Sequence, residues 1–223
     1  MLCRKRYPSI CVRLCIRIVV RRHSNTQPTQ TIHNISRTFD LALFPTTLNM
    51  TSNPAYTEET SGLDVAAAYA AQVSGKTVLI TGVSNGGIGD ATARAFAHGG
   101  ASTIIITGRN EERLSAVTKA LSSDYPKIKF RTFKLDLDSL AAVRQSAQEI
   151  MNDASIEKID IIVTNAGFSA FTGDRVLTVD GYERHFAANH LAHFLFVTKL
   201  LPKLFHAVEK SNTHGATRII VRE

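Results

Sequence analysis

Thr81-Gly-Val-Ser-Asn-Gly-Gly-Ile-Gly89 lies between an apolar run of strand length, Thr77-Val-Leu-Ile-Thr81, and a segment of helical spacing, Gly87–His98. Glycine lets a tight turn adopt positive φ and lets backbone come close to a diphosphate. The helix that follows offers free N–H groups and a partial positive charge at its first turn. A glycine run by itself is common in loops. Placed between a buried strand and a helix, at the start of an alternating pattern, it points to a nucleotide phosphate site, with a plain turn as the alternative.

Working outward, the pattern alternates. Residues 64–72 are Ala-rich and predict a short helix. The helix over Gly87–His98 places Ile88, Ala91, Ala95 and Phe96 on one side and stops at Gly99-Gly100. Ser102–Thr107 is a second buried strand. Asn110 then looks like an N-cap, with Glu111 and Glu112 in the first turn of a helix running to about Ser122. Lys129–Leu135 is a third strand, and Asp138 caps a helix to about Asn152. Ile159–Thr164 is a fourth strand, a long helix spans about Gly181 to Leu201, and Thr217–Val221 is a fifth strand. Strands alternating with helices of about a dozen residues predict a parallel α/β sheet with helices on both faces.

Four further motifs fall at strand ends or on the long helix. Gly108-Arg109-Asn110 follows the second strand, where an acid suits the ribose 2′-OH of NAD and an arginine the 2′-phosphate of NADP. A solvated loop arginine is the plainer reading. Leu135-Asp136-Leu137 follows the third strand, and Asn165-Ala166-Gly167 the fourth. Thr178 to Phe194 reads Thr-Val-Asp-Gly-Tyr-Glu-Arg-His-Phe-Ala-Ala-Asn-His-Leu-Ala-His-Phe. His190 and His193 sit three apart there, without a carboxylate or third His at ligand spacing. They are read as packing or hydrogen-bonding within the helix layer, and no metal site is expected.

Over roughly residues 64–221 these motifs, in this order, resemble the short-chain dehydrogenase/reductase family, in particular its retinol-dehydrogenase-like members. The resemblance implies a Rossmann-type doubly wound parallel sheet, three-layer α/β/α and incomplete at about five strands. It implies cofactor binding by Gly82, Ser84, Asn85, Gly87, Ile88, Gly89, Arg109, Asp136, Leu137, Asn165, Ala166 and Gly167. Asp136 would bond the adenine amino group, or cap a helix, or both. Asn165 would stabilise the central sheet. Asn189 aligns with the Asn of the catalytic tetrad, whose backbone carbonyl holds a water. The family pattern is Thr-Gly-x3-Gly-x-Gly, whereas Gly82 is followed here by four residues before Gly87-Ile88-Gly89. That insertion bears on the phosphate contacts of Ser84, Asn85 and Gly86 and leaves the fold untouched.

The family's other catalytic residues are a Ser after strand five and a Tyr-x3-Lys on the next helix. Thr217–Val221 is followed only by Arg222-Glu223. Tyr125 and Lys129 have the formal spacing, but Pro126 interrupts it and the segment enters a strand, so the pair is a decoy. The sequence therefore predicts a chain that is inactive on its own. Its fifth strand would be an exposed edge prone to pairing, and Leu191, Phe194 and Leu195 would lack neighbours.

The protein has 223 residues, 44% of them hydrophobic, as a soluble globular domain requires. Its net charge of +7 sits in the first 49 residues, where eight Lys and Arg face one acid, Asp40. Residues 50–223 hold eighteen of each sign, which argues against a nucleic-acid-binding face on the folded body. The three cysteines, Cys3, Cys11 and Cys15, all fall in the leader, so the body has no disulfide framework. On a helix, Arg13, Arg17 and Arg21 would form a basic stripe against an apolar face. That run is too short and too charged to span a bilayer, and no transmembrane segment is expected. A mitochondrial presequence, an extension upstream of a start at Met50, and a membrane-surface anchor all fit the leader. The location is correspondingly cytoplasmic, or mitochondrial if the leader is a presequence.

The expected organisation is a basic leader and disordered linker over residues 1–62, then an NAD(P)-binding domain over 63–223. The expected function is NADP-dependent oxidoreduction of alcohol or carbonyl groups on small lipophilic substrates, with NADP preferred to NAD and a homo-oligomer compatible with it. A non-catalytic NADP-binding module and an inert fragment are the rivals. A methyltransferase is disfavoured, because it wants an acid where Arg109 stands.

Overall fold

A computed structural model describes Arg13–Leu14 and residues 56–57, 59–169, 174–211 and 217–222. The chain divides into two units, residues 1–18 with 61–223 and residues 19–60; the first holds all the elements below. In chain order they are β1 (Arg13–Leu14), α1 (Gly62–Ala68), α2 (Ala70–Val73), β2 (Thr77–Thr81), α3 (Ile88–His98), β3 (Thr103–Gly108), α4 (Glu111–Asp124) and β4 (Lys129–Lys134). There follow α5 (Leu140–Asn152), β5 (Ile161–Thr164), α6 (Arg184–Phe186), a π-helical turn over Ala187–Leu191, α7 (Ala192–Lys210) and β6 (Arg218–Arg222).

The sheet order is β1-β6-β5-β2-β3-β4. All pairings from β6 to β4 are parallel, with β2 between β3 and β5. Strand order therefore reverses between β2 and β5, and the strands' carboxyl ends diverge there into the crevice in which such sheets bind ligands.

Strand periodicity builds the layers. Val78 and Ile80 point to one face and pack with Ala93, Ala97, Leu114, Val117 and Leu121 of α3 and α4. Leu79, Ile105 and Ile162 point to the other and pack with Val143, Ala147 and Ile150 of α5 and with Phe196, Leu200 and Leu204 of α7. All five residues of β2 are buried, as a central parallel strand covered on both faces requires. Asn110 caps α4, its side chain accepting from Arg113 N at 2.8 Å. Asn110→Ala is expected to cost about 1 kcal/mol, read as a lowered urea midpoint with unchanged slope; an unchanged midpoint would remove the cap from the stability of α4.

Several expectations need correction. Helix α3 buries Gly89, Asp90, Ala93 and Ala97, while Ile88 is 56% exposed and Ala91 is also exposed. The first turn is held by the glycine contact described below, and Ile88 lines the crevice, where the cofactor reading put it. Ser139, not Asp138, caps α5, accepting from Ala142 N, because Asp138 is drawn into ion pairs across the crevice. The long helix continues to Lys210 through Pro202. Proline removes one N–H, but the buried row Phe196, Leu200, Leu204 and Ala207 holds the helix against the sheet. That helix is long and apolar enough to cross a membrane, yet this buried row is what a core helix presents. Arg13–Leu14 is extended, not helical, and pairs antiparallel with Val221 and Arg222, so β6 is not a fully open edge. Phe194 is 66% exposed as expected, whereas Leu191 and Leu195 are half-buried. Of the remaining leader and linker, residues 56–57 and 59–62 are described, with Ser61 capping α1 at Gly62; the rest lies outside the described residues.

Candidate functional site: a crevice at the strand ends

Gly82 ends β2 at φ +70, and a Cβ there would lie 2.6 Å from Ala166 Cα. Gly89 opens α3, and a Cβ on it would lie 2.7 Å from Gly82 O and 2.9 Å from Asn165 Nδ2. The two glycines let three backbone segments meet at the switch point. Asn165 knits them, donating from Nδ2 to Thr81 O at 2.9 Å and to Gly82 O at 3.2 Å. Thr81 Oγ1 accepts from Ala166 N at 3.0 Å. The residue types of the loops after β2 and β5 thus follow from how closely those loops approach.

The extra residue of the glycine loop is absorbed in a reverse turn. Gly87 N donates to Ser84 O at 2.9 Å, with Gly86 at φ +69. Gly86 N donates to Asp90 Oδ2 at 3.0 Å, and Asp90 also accepts from Arg94 Nε at 3.2 Å. Asn85 and Gly86 are exposed on this turn. No side chain caps α3 at Gly87, so its first-turn donors are left to whatever enters the crevice.

The crevice has a volume of about 1130 Å³. Gly82, Ser84, Ile88, Gly89, Arg109, Asp136, Leu137, Asn165, Ala166, Gly167 and Asn189 line it, so residues up to 107 apart in sequence come together as expected. Asn85 and Gly87 are outside the lining. Sequence reasoning did not single out Arg113, Asp138 or Phe168 as part of this wall.

Asp138 is the hub of one end. Arg184 reaches it with Nε at 3.0 Å and Nη2 at 2.5 Å, and Arg109 with Nη1 at 3.4 Å. The Arg184 hydrogen bond holds the Asp138 carboxyl below the usual carboxylate range against its partial burial, and Arg109 adds to the effect. The Arg184 guanidinium lies 4.1 Å over the Phe168 ring. Asp136 Oδ1 accepts from Asp138 N at 3.0 Å, a local turn that leaves its other oxygen for a ligand. No local signal in the sequence links Asp138 to an arginine 46 residues on, which is why a capping role was expected of it.

Asn189 lies within the π-turn. Its side chain accepts from Phe168 N at 2.7 Å and donates to Phe168 O at 2.9 Å. His190 is exposed and stacks on Phe186 at 5.5 Å, whereas His193 is buried and meets Thr81 Oγ1 at 3.0 Å. His193 therefore acts inside the helix layer as expected, whereas His190 lies exposed on the crevice wall. Among the described residues no three His, Cys, Asp or Glu side chains gather as metal ligands. Tyr125 ends α4 and Lys129 begins β4, so that pair shares no helix and lies at the opposite end of the strands from the crevice.

Residues 76–219 match the family model described as short chain dehydrogenase. The chain is 42% identical over 156 residues to Oxidoreductase fscI of Fusarium equiseti, covering 70% of this chain and 59% of that protein. It is 37% identical over 134 residues to human Retinol dehydrogenase 13, covering 60% of this chain and 39% of that protein. It thus spans 59% and 39% of the length of these two relatives. A short chain dehydrogenase structure from Salmonella enterica serovar Typhi superposes with a TM-score of 0.50 at 25% identity, covering 65% of this chain and 63% of that one. With the doubly wound sheet, the crevice at its switch point and a family match over most of the folded unit, this chain belongs to the short-chain dehydrogenase family.

Proposed function

We propose that the crevice binds NADP(H), in preference to NAD(H), for oxidoreduction of alcohol or carbonyl groups on small lipophilic molecules. The observation that supports it best is the pairing of an uncapped α3 N-terminus at one end with Arg109 at the end of β3. The glycine turn and the free donors of α3 suit a diphosphate. Arg109 and Arg113 line the wall past β3 and suit a 2′-phosphate, while an acid, which would suit an unphosphorylated ribose, is absent from the end of that strand. Asp136 stands where an adenine amino group would be met, and Gly167 leaves room beside Asn189 for the nicotinamide end. The cofactor, when bound, supplies or accepts a hydride. The residues of this chain bind and orient it, and Asn189 offers a backbone carbonyl at that end.

The preference is tested by titrating the full chain with NADPH and NADH. NADPH is expected to bind more tightly. Arg109→Ala is expected to weaken NADPH by about tenfold, the loss of one charge-assisted hydrogen bond at an exposed site, with NADH little changed. Equal affinity for both cofactors in the unsubstituted protein would overturn the preference. Saturable binding with no turnover of any ketone would favour a binding module over an enzyme.

A further inference from the structure

His193 is 5% exposed, and both its ring nitrogens are engaged. Nε2 lies 3.0 Å from Thr81 Oγ1 and Nδ1 lies 3.3 Å from the Asn189 backbone oxygen. The direction of each hydrogen bond follows from the end groups. Asn189 O can only accept, so Nδ1 carries the proton. Ala166 N can only donate, so Thr81 Oγ1 accepts from it at 3.0 Å. In a neutral ring Nε2 is then the acceptor, and the Thr81 hydroxyl donates its proton to it. The result is one directed chain, from Ala166 N through Thr81 and His193 to Asn189 O, joining the loop after β5, the end of β2 and the π-turn.

The far end of that chain bears on the crevice. The same Asn189 holds the Phe168 backbone through both ends of its amide, and Phe168, Gly167 and Asn189 all line the wall. A π-turn has fewer ordinary helical constraints at the residue it bulges, so a side-chain anchor from within the layer has something to fix.

We propose that His193 is a positioning residue for the cofactor crevice: an uncharged imidazole, protonated on Nδ1, that locks the Asn189 turn onto the end of β2. The crevice role rests on the cofactor reading above; the placement of the ring and its proton does not. A second proton on Nε2 would face the Thr81 hydroxyl and strip that hydroxyl of its acceptor in a buried site. Burial already pushes the imidazole pKa down, and His190 on the same helix lowers it further, against the raising effect of the Asn189 carbonyl. Its two hydrogen-bond partners, the Thr81 hydroxyl from β2 and the Asn189 backbone carbonyl, carry no charge, and the titratable group that acts on it is His190. Because the folded pKa is depressed, the lock is complete above the ordinary histidine range and is lost as pH falls through the folded value.

Two measurements on the full chain test this. Nitrogen-15 correlation spectra of histidine-labelled protein at pH 7.5, with His193 assigned through His193→Gln, are expected to show a protonated Nδ1 and a bare Nε2. A protonated Nε2, or averaging between the two forms, would overturn the proposal. NADPH affinity is then followed from pH 8 downward through the pH at which the nitrogen spectra show His193 taking its second proton. The unsubstituted protein is expected to lose affinity through that pH more steeply than His193→Gln, which starts about tenfold weaker. The ligand's own phosphate ionises in both and cancels in the difference. Identical pH profiles would overturn the positioning role. Absence of NADPH binding at every pH would instead remove the cofactor reading, and the crevice role with it, while the nitrogen spectra would still decide how His193 is held.

Discussion

Gly82→Ala is expected to lower stability by about 3 kcal/mol or more, the sum of left-handed backbone strain and a core clash. The residue sits at φ +70, and the new Cβ would fall 2.6 Å from both Cα and Cβ of Ala166. Neither partner is a flexible side-chain end that can swing aside. To admit the methyl group, the loop after β5 must draw back from the end of β2, and that loop carries Asn165, Ala166 and Gly167 of the crevice wall. Binding and stability should therefore fail together. For a domain of this size the loss corresponds to a melting temperature lower by about 6–12 °C. NADPH binding should be lost even below the melting point. A melting temperature within a degree or two of the parent would show that the two loops do not approach as described.

Asn165→Leu is the second large effect, of about 2–4 kcal/mol. Leucine has nearly the shape of asparagine but cannot donate. Asn165 is 8% exposed, and its amide serves the carbonyls of Thr81 and Gly82, at the very point where β2 leaves the sheet. Urea unfolding monitored by circular dichroism reads the change directly, as a lower midpoint at constant slope. Asn165→Asp, which keeps an acceptor and removes the donor, should cost at least as much. If either variant unfolds within about 0.5 kcal/mol of the parent, another donor must satisfy these carbonyls.

The parts of the molecule that repeat a local rule were legible from residues alone. Continuous apolar runs of strand length such as Thr103–Thr107 and Ile161–Thr164 read as buried strands, and the structure pairs Val78 with Ile104 and Ile161 in parallel register. The Asn110 cap and the stop at Gly99 are equally local. Most of the crevice was readable for the same reason, since its wall is made of strand ends and the motifs mark those ends. What could not be read is set by distant partners. Asp138 has the position of a cap but answers to Arg184 and Arg109. Pro202 is a local stop signal that a buried face of four apolar residues overrules. The hydrogen-bonding of His193 was expected in kind, but its partner Thr81 lies 112 residues away and no spacing rule connects them.

The central claim is that a dinucleotide is gripped where β2 turns through glycines into α3. Hydrogen exchange of the full chain, resolved to single amides with and without saturating NADPH, tests it most directly. The crevice assignment predicts slowed exchange in residues 82–90, sharpest at the first-turn amides of α3, with lesser slowing at 108–110 and 165–168. Unchanged exchange there, or protection confined to the groove between α4 and α5 beside β4, would contradict it.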